Sequence, residues 1–487
     1  MDLTDADLLG GGLLIAGDPI RVATGGTMDH INPATGRVQS SFPVAGADEV
    51  DAAVRAARQA LPTWRGLQTS EREAALRRLA ALLRENATTF TRVTALENGT
   101  PVRMGQGQAL SAARWFDYYA GWTDKVCSEV YPGGPGLISY SLHEPFGVVA
   151  VILTWNGPTG LIGMMGAAPL AAGCTIVLKA PELAPFSATL FGQLALEAGL
   201  PPGVVNVITG GPECGDRLVR HPDVDKVAFT GGPTTAQRIQ AACAESLTPL
   251  CLELGGKSAN IVLEGADIDA VSTSAVMGFT ILSGQVCVAP TRLIVESSIH
   301  DELVERVVER VRALTMGDPL DPATVIGPMI SESARQRAIT MAEEARRAGG
   351  RLVVGGGVPE GDLGNGFYLQ PAVVDDVDNS SDLAQNEVFG PLLAVVRADD
   401  ATHAVDLANE SRYGLAAYVH TNDLAVAHTA ISRLQAGNVV VNGSVTAGAP
   451  QLPFGGFKDS GYGKEGGLEG LKEYLRVKQV TINAPAR

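Results

Sequence analysis

The chain has 487 residues, with 37 basic side chains, 53 acidic ones and a formal charge of −16. That acidic balance, with no cluster of Lys and Arg, excludes a general binder of nucleic-acid phosphates. Hydrophobic residues make up 45% and charged residues 18%, which excludes a disordered chain. The 57 glycines, well above the usual ~7%, predict a loop-rich fold of roughly two to four domains.

The opening segment MDLTDADLLGGGLLIAGDPI is acidic and lacks the basic start of a secretory signal. Six cysteines (Cys127, Cys174, Cys214, Cys243, Cys251 and Cys287) are scattered without metal-type CxxC spacing. A cytoplasmic protein with reduced thiols and no metal site is therefore expected. The first third reads as helical. Val50, Val54, Ala57 and Leu61 recur at helical spacing, and Ser70-Glu-Arg-Glu73 forms a capping box ahead of a helix with Leu76, Leu79 and Leu83 on one face.

Residues 145–178 carry no charged side chain and are long enough to suggest a membrane span. Gly147, Asn156, Gly157, Pro158, Gly160, Gly163, Gly166, Pro169 and Gly173 interrupt them, so the segment reads as strand, loop, helix and strand inside an α/β domain. From residue 148 the runs VVAVIL (148–153), CTIVLK (174–179), VVNVI (204–208) and KVAF (226–229) alternate with helical stretches. This rhythm predicts a doubly wound parallel sheet with its ligand crevice at the carboxyl ends of the strands. A second alternating block follows residue 256, with strands at 260–264, 291–296, 351–355, 392–397, 416–420 and 438–442. Two α/β lobes are expected, with a seam near 255.

Two glycine patterns are decoys. Gly461-Tyr-Gly463-Lys-Glu-Gly466 satisfies GxGxxG, but no strand precedes it and the chain ends where a ribose-binding acid should lie. Gly256-Lys257-Ser258 resembles the end of a phosphate-binding loop, yet the glycine required five positions earlier is Cys251.

Six segments carry chemistry: Thr154-Trp155-Asn156-Gly157-Pro158, Leu178-Lys179-Ala180-Pro181-Glu182, Leu252-Glu253-Leu254-Gly255-Gly256-Lys257, Gly284-Gln285-Val286-Cys287, Glu387-Val388-Phe389-Gly390-Pro391 and Pro453-Phe454-Gly455-Gly456-Phe457-Lys458. Together, in this order and spacing, they resemble the aldehyde dehydrogenase superfamily over nearly the whole chain. The resemblance implies a Rossmann-like NAD-binding domain (1–127 and 147–255), a catalytic domain (256–459), and an oligomerisation arm with a C-terminal tail (128–146 and 460–487).

It also implies roles. Cys287 is the nucleophile, since a soft thiolate attacks a carbonyl to give a tetrahedral species that can release hydride. Asn156 is the oxyanion donor, and Glu253 is the base that activates water against the resulting thioester. Lys179 and Glu182 would meet the adenosine ribose, Glu182 favouring NAD over NADP by repelling a 2′-phosphate. Gly211 and Gly215, with Phe229, Thr230, Gly231 and Gly232, would lie near the pyrophosphate, while Glu387 and Phe389 position the nicotinamide half. Thr154, Trp155 and Leu254 complete the cofactor set.

Met165 stands where many members carry a relay lysine, leaving water or Glu465 to carry the proton out. Gly157, Met164, Val286, Val288 and Ala447 look small or apolar, which predicts a roomy pocket for a neutral aldehyde. The alternating segments 132–147 and 473–483 read as strands of an oligomerisation sheet, giving dimers or dimers of dimers. A CoA-acylating semialdehyde dehydrogenase and a cysteine acyl hydrolase are the rival readings. The Glu of LELGGK argues against the first, and the absence of a recognisable His partner argues against the second.

Overall fold

Strands that are apolar along their whole length can only be buried on both faces, which calls for helices on either side. The computed structural model, which describes residues 4–445 and 448–483, has this arrangement twice. The first sheet runs in the order Asp18–Ile20, Leu13–Ile15, Val205–Thr209, Thr175–Ala180, Val148–Ile152, Lys226–Gly231, Leu250–Leu254, Gly461–Tyr462. Its five central strands are parallel. The strand order reverses between Val148–Ile152 and Lys226–Gly231, so the crevice of a doubly wound sheet opens at their carboxyl ends.

The helix Ala47–Gly66 covers one face of this sheet and Pro158–Ala172 the other. Trp64, fully buried, donates from its indole N–H to the Leu170 carbonyl at 3.0 Å. The second sheet orders Arg351–Val354, Ala372–Asp375, Leu392–Ala398, Arg292–Glu296, Ala259–Val262, Ala416–His420 and Asn438–Val441, parallel throughout except at Arg351–Val354. Only four residues, Gly255–Ser258, separate the last long strand of the first sheet from the first strand of the second.

Residues 132–147 and 473–483 meet as expected. Leu475–Asn483 pairs antiparallel with Leu137–Pro145 over its full length, and Val130–Tyr131 extends the ribbon. Val130, Tyr131, Ile138, Leu142, Val477 and Ile482 remain exposed on it.

Three expectations change. Residues 4–43 are not mainly helical: apart from Asp5–Leu8 their regular structure is four strands, and Leu13–Ile15 pairs with Val205–Thr209 at the sheet edge. Leu13 and Leu14 have the length of one short strand, too little for a period to show. The capping box of the second long helix lies two residues earlier than Ser70, since Thr69–Glu85 is capped by Glu71, whose carboxylate accepts from the Gln68 N–H at 3.0 Å. The C-terminal region is not all arm and tail. Gly461–Tyr462 closes the edge of the first sheet against Leu252 and Glu253, and the Leu254 N–H donates to the Ser460 carbonyl at 3.0 Å.

Candidate active site

Where the two sheets face each other, a cavity of about 730 Å³ is lined by residues from both. The chain leaving Val148–Ile152 contributes Thr154, Trp155 and Asn156, and the chain leaving Lys226–Gly231 contributes Thr230, Gly231 and Gly232. Glu253, Leu254 and Gly255 come from the end of Leu250–Leu254, while Cys287, Glu387 and Phe389 come from loops of the second sheet.

Cys287 follows a tightly built loop. Leu282, Ser283 and Gly284 all take positive φ, at 48°, 56° and 74°. A Cβ on Gly284 would lie 2.3 Å from the backbone of Gly390, so only glycine allows this loop to pack on the 389–391 turn. The buried Ser283 hydroxyl donates to the Gly327 carbonyl at 2.7 Å, the Gln285 side chain accepts from the Ile330 N–H at 2.9 Å, and the Tyr418 hydroxyl donates to the Val288 carbonyl at 3.0 Å. The cysteine backbone is thereby fixed from three sides.

The Asn156 amide donates to the Gln285 carbonyl at 2.8 Å, on that same loop. One of its two N–H groups is thus committed and the other remains available. Trp155 donates nothing here; its carbonyl accepts from Asn98 at 2.9 Å and its ring meets Phe389 edge-on, with centroids 5.3 Å apart.

Carboxyl groups dominate the electrostatics. Glu253 is 4% exposed, and neither of its carboxylate oxygens has a hydrogen-bond partner among the described residues. Burial, then the nearby Glu465, pushes its pKa well above the ordinary carboxylate value. Glu465 is itself fully buried and raised to about 8, mainly by burial, although it accepts from the Tyr474 hydroxyl at 3.0 Å. Glu387 accepts from the Gly256 N–H at 3.1 Å and presses so close to Gly255 that a Cβ there would overlap its carboxylate. Burial raises it to about 7. The Cys287 thiol is pushed up to about 12, by burial first and then by Glu387 and Glu253. At neutral pH this site holds a thiol that needs a proton acceptor.

The remaining expected residues are placed as follows. Lys179, buried, donates to Glu182 at 2.9 Å at the end of Thr175–Ala180, and neither is among the residues that line the cavity. Gly211 caps the helix Pro212–Val219, which contains Gly215, and a Cβ on either would meet only open space. The Phe229 side chain does not line the cavity: its ring lies in the core beneath Gly231, on the sheet face opposite that of Thr230. Met165 is buried, and its sulfur accepts from the Thr230 hydroxyl at 3.0 Å. Ala447 lies outside the described residues.

Leu161, Pro233, Thr234, Gln237, Arg337, Asn386, Arg412 and Tyr413 also line the cavity and were not anticipated. Arg337 sits in the otherwise ordinary amphipathic helix Glu332–Arg347, where one more arginine gives no signal.

The model of the aldehyde dehydrogenase family matches residues 21–480. A (Z)-2-((N-methylformamido)methylene)-5-hydroxybutyrolactone dehydrogenase from Acinetobacter baylyi is 39% identical over 460 residues, covering 93% of each chain. The mitochondrial aldehyde dehydrogenase of Homo sapiens is 38% identical over 467 residues, covering 95% of this chain and 90% of its own. Among solved structures, PnpE from Pseudomonas sp. WBC-3 superposes with a TM-score of 0.95, and PnpE in complex with nicotinamide adenine dinucleotide with 0.96. Both are 37% identical and cover 98% of either chain.

Proposed function

As the chain belongs to the aldehyde dehydrogenase family, we propose that it is a cytoplasmic enzyme oxidising an aldehyde to the carboxylic acid, with NAD, or secondarily NADP, as hydride acceptor. The observation that carries this reading is the meeting of Cys287, Asn156, Glu253 and Glu387 around one cavity.

The residues present fit a dinucleotide. The cavity runs along Gly231, Gly232 and Pro233, where the helix Pro233–Ser246 begins without a side-chain cap among the described residues, a setting that favours a pyrophosphate. No side chain obstructs the space before Gly232, Gly211 or Gly215. Glu182 keeps one carboxylate oxygen outside its pair with Lys179, so it can accept from a ribose hydroxyl and oppose a 2′-phosphate. Glu387 and Phe389 would hold the nicotinamide half. When bound, NAD supplies the hydride acceptor.

The protein groups do the rest. Glu253, raised and unpartnered, is suited to take a proton within the cavity. The Cys287 thiolate forms a C–S bond to the aldehyde carbon while the C=O pair moves onto oxygen. The free N–H of Asn156 and the Cys287 backbone N–H stabilise that oxyanion. After loss of hydride the acyl group is a thioester on Cys287. Glu253 then deprotonates water, which adds to the carbonyl and expels the thiolate as the C–S bond breaks.

Replacing Cys287 with serine tests this directly. Aldehyde-dependent reduction of NAD should fall by roughly 10³-fold or more, because serine lacks a comparably acidic nucleophile. Calorimetric NAD binding should persist. A Cys287→Ser enzyme turning over at full speed would refute the reading.

A further inference from the structure

Thr230 commits its hydroxyl to a poor acceptor. It donates to the Met165 sulfur at 3.0 Å, on the helix Pro158–Ala172, and a thioether accepts hydrogen bonds only weakly. One strand away, both carboxylate oxygens of Glu253 are shielded from solvent and lack a hydrogen-bond partner among the described residues. A donor without a strong acceptor and an acceptor without a donor thus share the wall of one cavity.

The sheet sets the two side by side. Lys226–Gly231 and Leu250–Leu254 are parallel neighbours, and Thr230 is the register partner of Glu253. Alternation gives them a common face. Phe229 and its partner Leu252 enter the core on the side of Ala47–Gly66, whereas Ala228 and its partner Cys251 enter the core on the side of Pro158–Ala172. Thr230 lies two residues beyond Ala228, and Glu253 two beyond Cys251, so both share the second side with Met165. Adjacent strands lie about 4.8 Å apart. A threonine hydroxyl spans such a gap to a carboxylate by turning about χ1 from one staggered rotamer to another.

We propose that Thr230 is a positioning residue for the base: when Glu253 ionises, the Thr230 hydroxyl turns from the Met165 sulfur and donates to the carboxylate. The inference rests on aldehyde oxidation with Glu253 as proton acceptor. A hydroxyl has one proton to donate, so the two hydrogen bonds exclude each other. An ionised carboxylate in a buried wall needs a donor far more than a protonated one does. The titratable groups that act on Glu253 or feel it are Cys251 on its own strand, Lys464, Glu465 and Glu473 from the C-terminal segment, and Cys287 from the second lobe. The helix Pro158–Ala172 brings no titratable side chain to this face. None of these groups hydrogen-bonds Glu253 among the described residues, which leaves Thr230 as its neighbouring donor.

The test follows kcat/KM for hexanal against pH, at saturating NAD, in the wild type, Thr230→Val and Thr230→Ser. Valine keeps the shape of threonine and removes the hydroxyl. A hydrogen bond to the ionised form holds a carboxyl pKa down, so losing it lets the pKa rise. The rising limb should move to higher pH by about one unit in Thr230→Val, a tenfold loss of rate along the limb, and stay within about 0.3 unit of the wild type in Thr230→Ser. Thr230→Ala provides a second replacement should valine not be accommodated. A limb that stays in place or moves to lower pH in the valine and alanine variants, an equal shift in Thr230→Ser, or turnover lost at every pH in both apolar variants would overturn the inference while leaving aldehyde oxidation intact. Absence of NAD reduction by the wild type across a broad aldehyde panel would instead overturn the underlying activity, and this inference with it.

Discussion

Glu465 adds to burial in raising the proton affinity of Glu253, and this gives the pH profile a direction. Glu253 accepts a proton only when ionised, so turnover should climb with pH through its raised pKa. Glu465 is the second cause of that elevation, after burial. In Glu465→Gln the neighbouring negative charge is gone, Glu253 ionises more readily, and the rising limb of the kcat/KM profile should move to lower pH. A limb that stays in place or moves to higher pH would show that the two carboxyls do not communicate. Most of this site was legible in the sequence, because Cys287, Glu253 and Asn156 sit in short segments whose spacing is distinctive. Phe229 lies in the segment that reaches the cavity through Thr230 and Gly231, but its own ring packs into the core beneath Gly231. Arg337 was missed because it reaches the cavity from a helix whose local pattern is that of any surface helix, and Arg412 and Tyr413 because the strand Tyr413–Gly414 is too short to show a pattern.

Among elements, the loop before Cys287 concentrates backbone strain. Gly284→Ala would add a Cβ at φ +74° and drive it into Gly390. The expected cost is about 1–3 kcal/mol of stability, read as a lower Tm, together with a fall in kcat as the cysteine shifts. Unchanged values of both would mean that the loop relaxes freely. A second element effect depends on pH. His300, buried at the start of His300–Arg312, has Nδ1 2.9 Å from Asp301 and Nε2 3.0 Å from Asp375 at the end of Ala372–Asp375. Burial alone would lower its pKa, but the two carboxylates outweigh it and raise it above 6.5. A raised histidine contributes its full stability below the unfolded value and loses it as pH climbs through the folded one. Thermal stability should therefore decline over that interval, and His300→Gln should flatten the decline; an unaltered slope would assign it to other groups. Element types were readable wherever runs were long, as in Val148–Ile152 or Leu392–Ala398. The short strands near the N-terminus and Gly461–Tyr462 were not, since two or three residues display no periodicity and owe their conformation to the sheet edge they join.

At the scale of the whole molecule, the ribbon formed by Leu475–Asn483 and Leu137–Pro145 presents apolar side chains and an unpaired edge to solvent. Such an edge calls for a partner, and a second copy of the chain is the proposed one. Val477, 65% exposed, is central to the patch. Val477→Asp should shift the mass measured by light scattering from a dimer or tetramer toward the monomer, whereas an unchanged mass would remove the ribbon from the assembly. The pairing of Gly461 with Glu253 has a consequence in time. During synthesis residues 253 and 287 both leave the ribosome well before residue 461, so the strand bearing Glu253 still has an open flank while translation continues. The wall of the cavity at Glu253 is completed only by a late stretch of polypeptide.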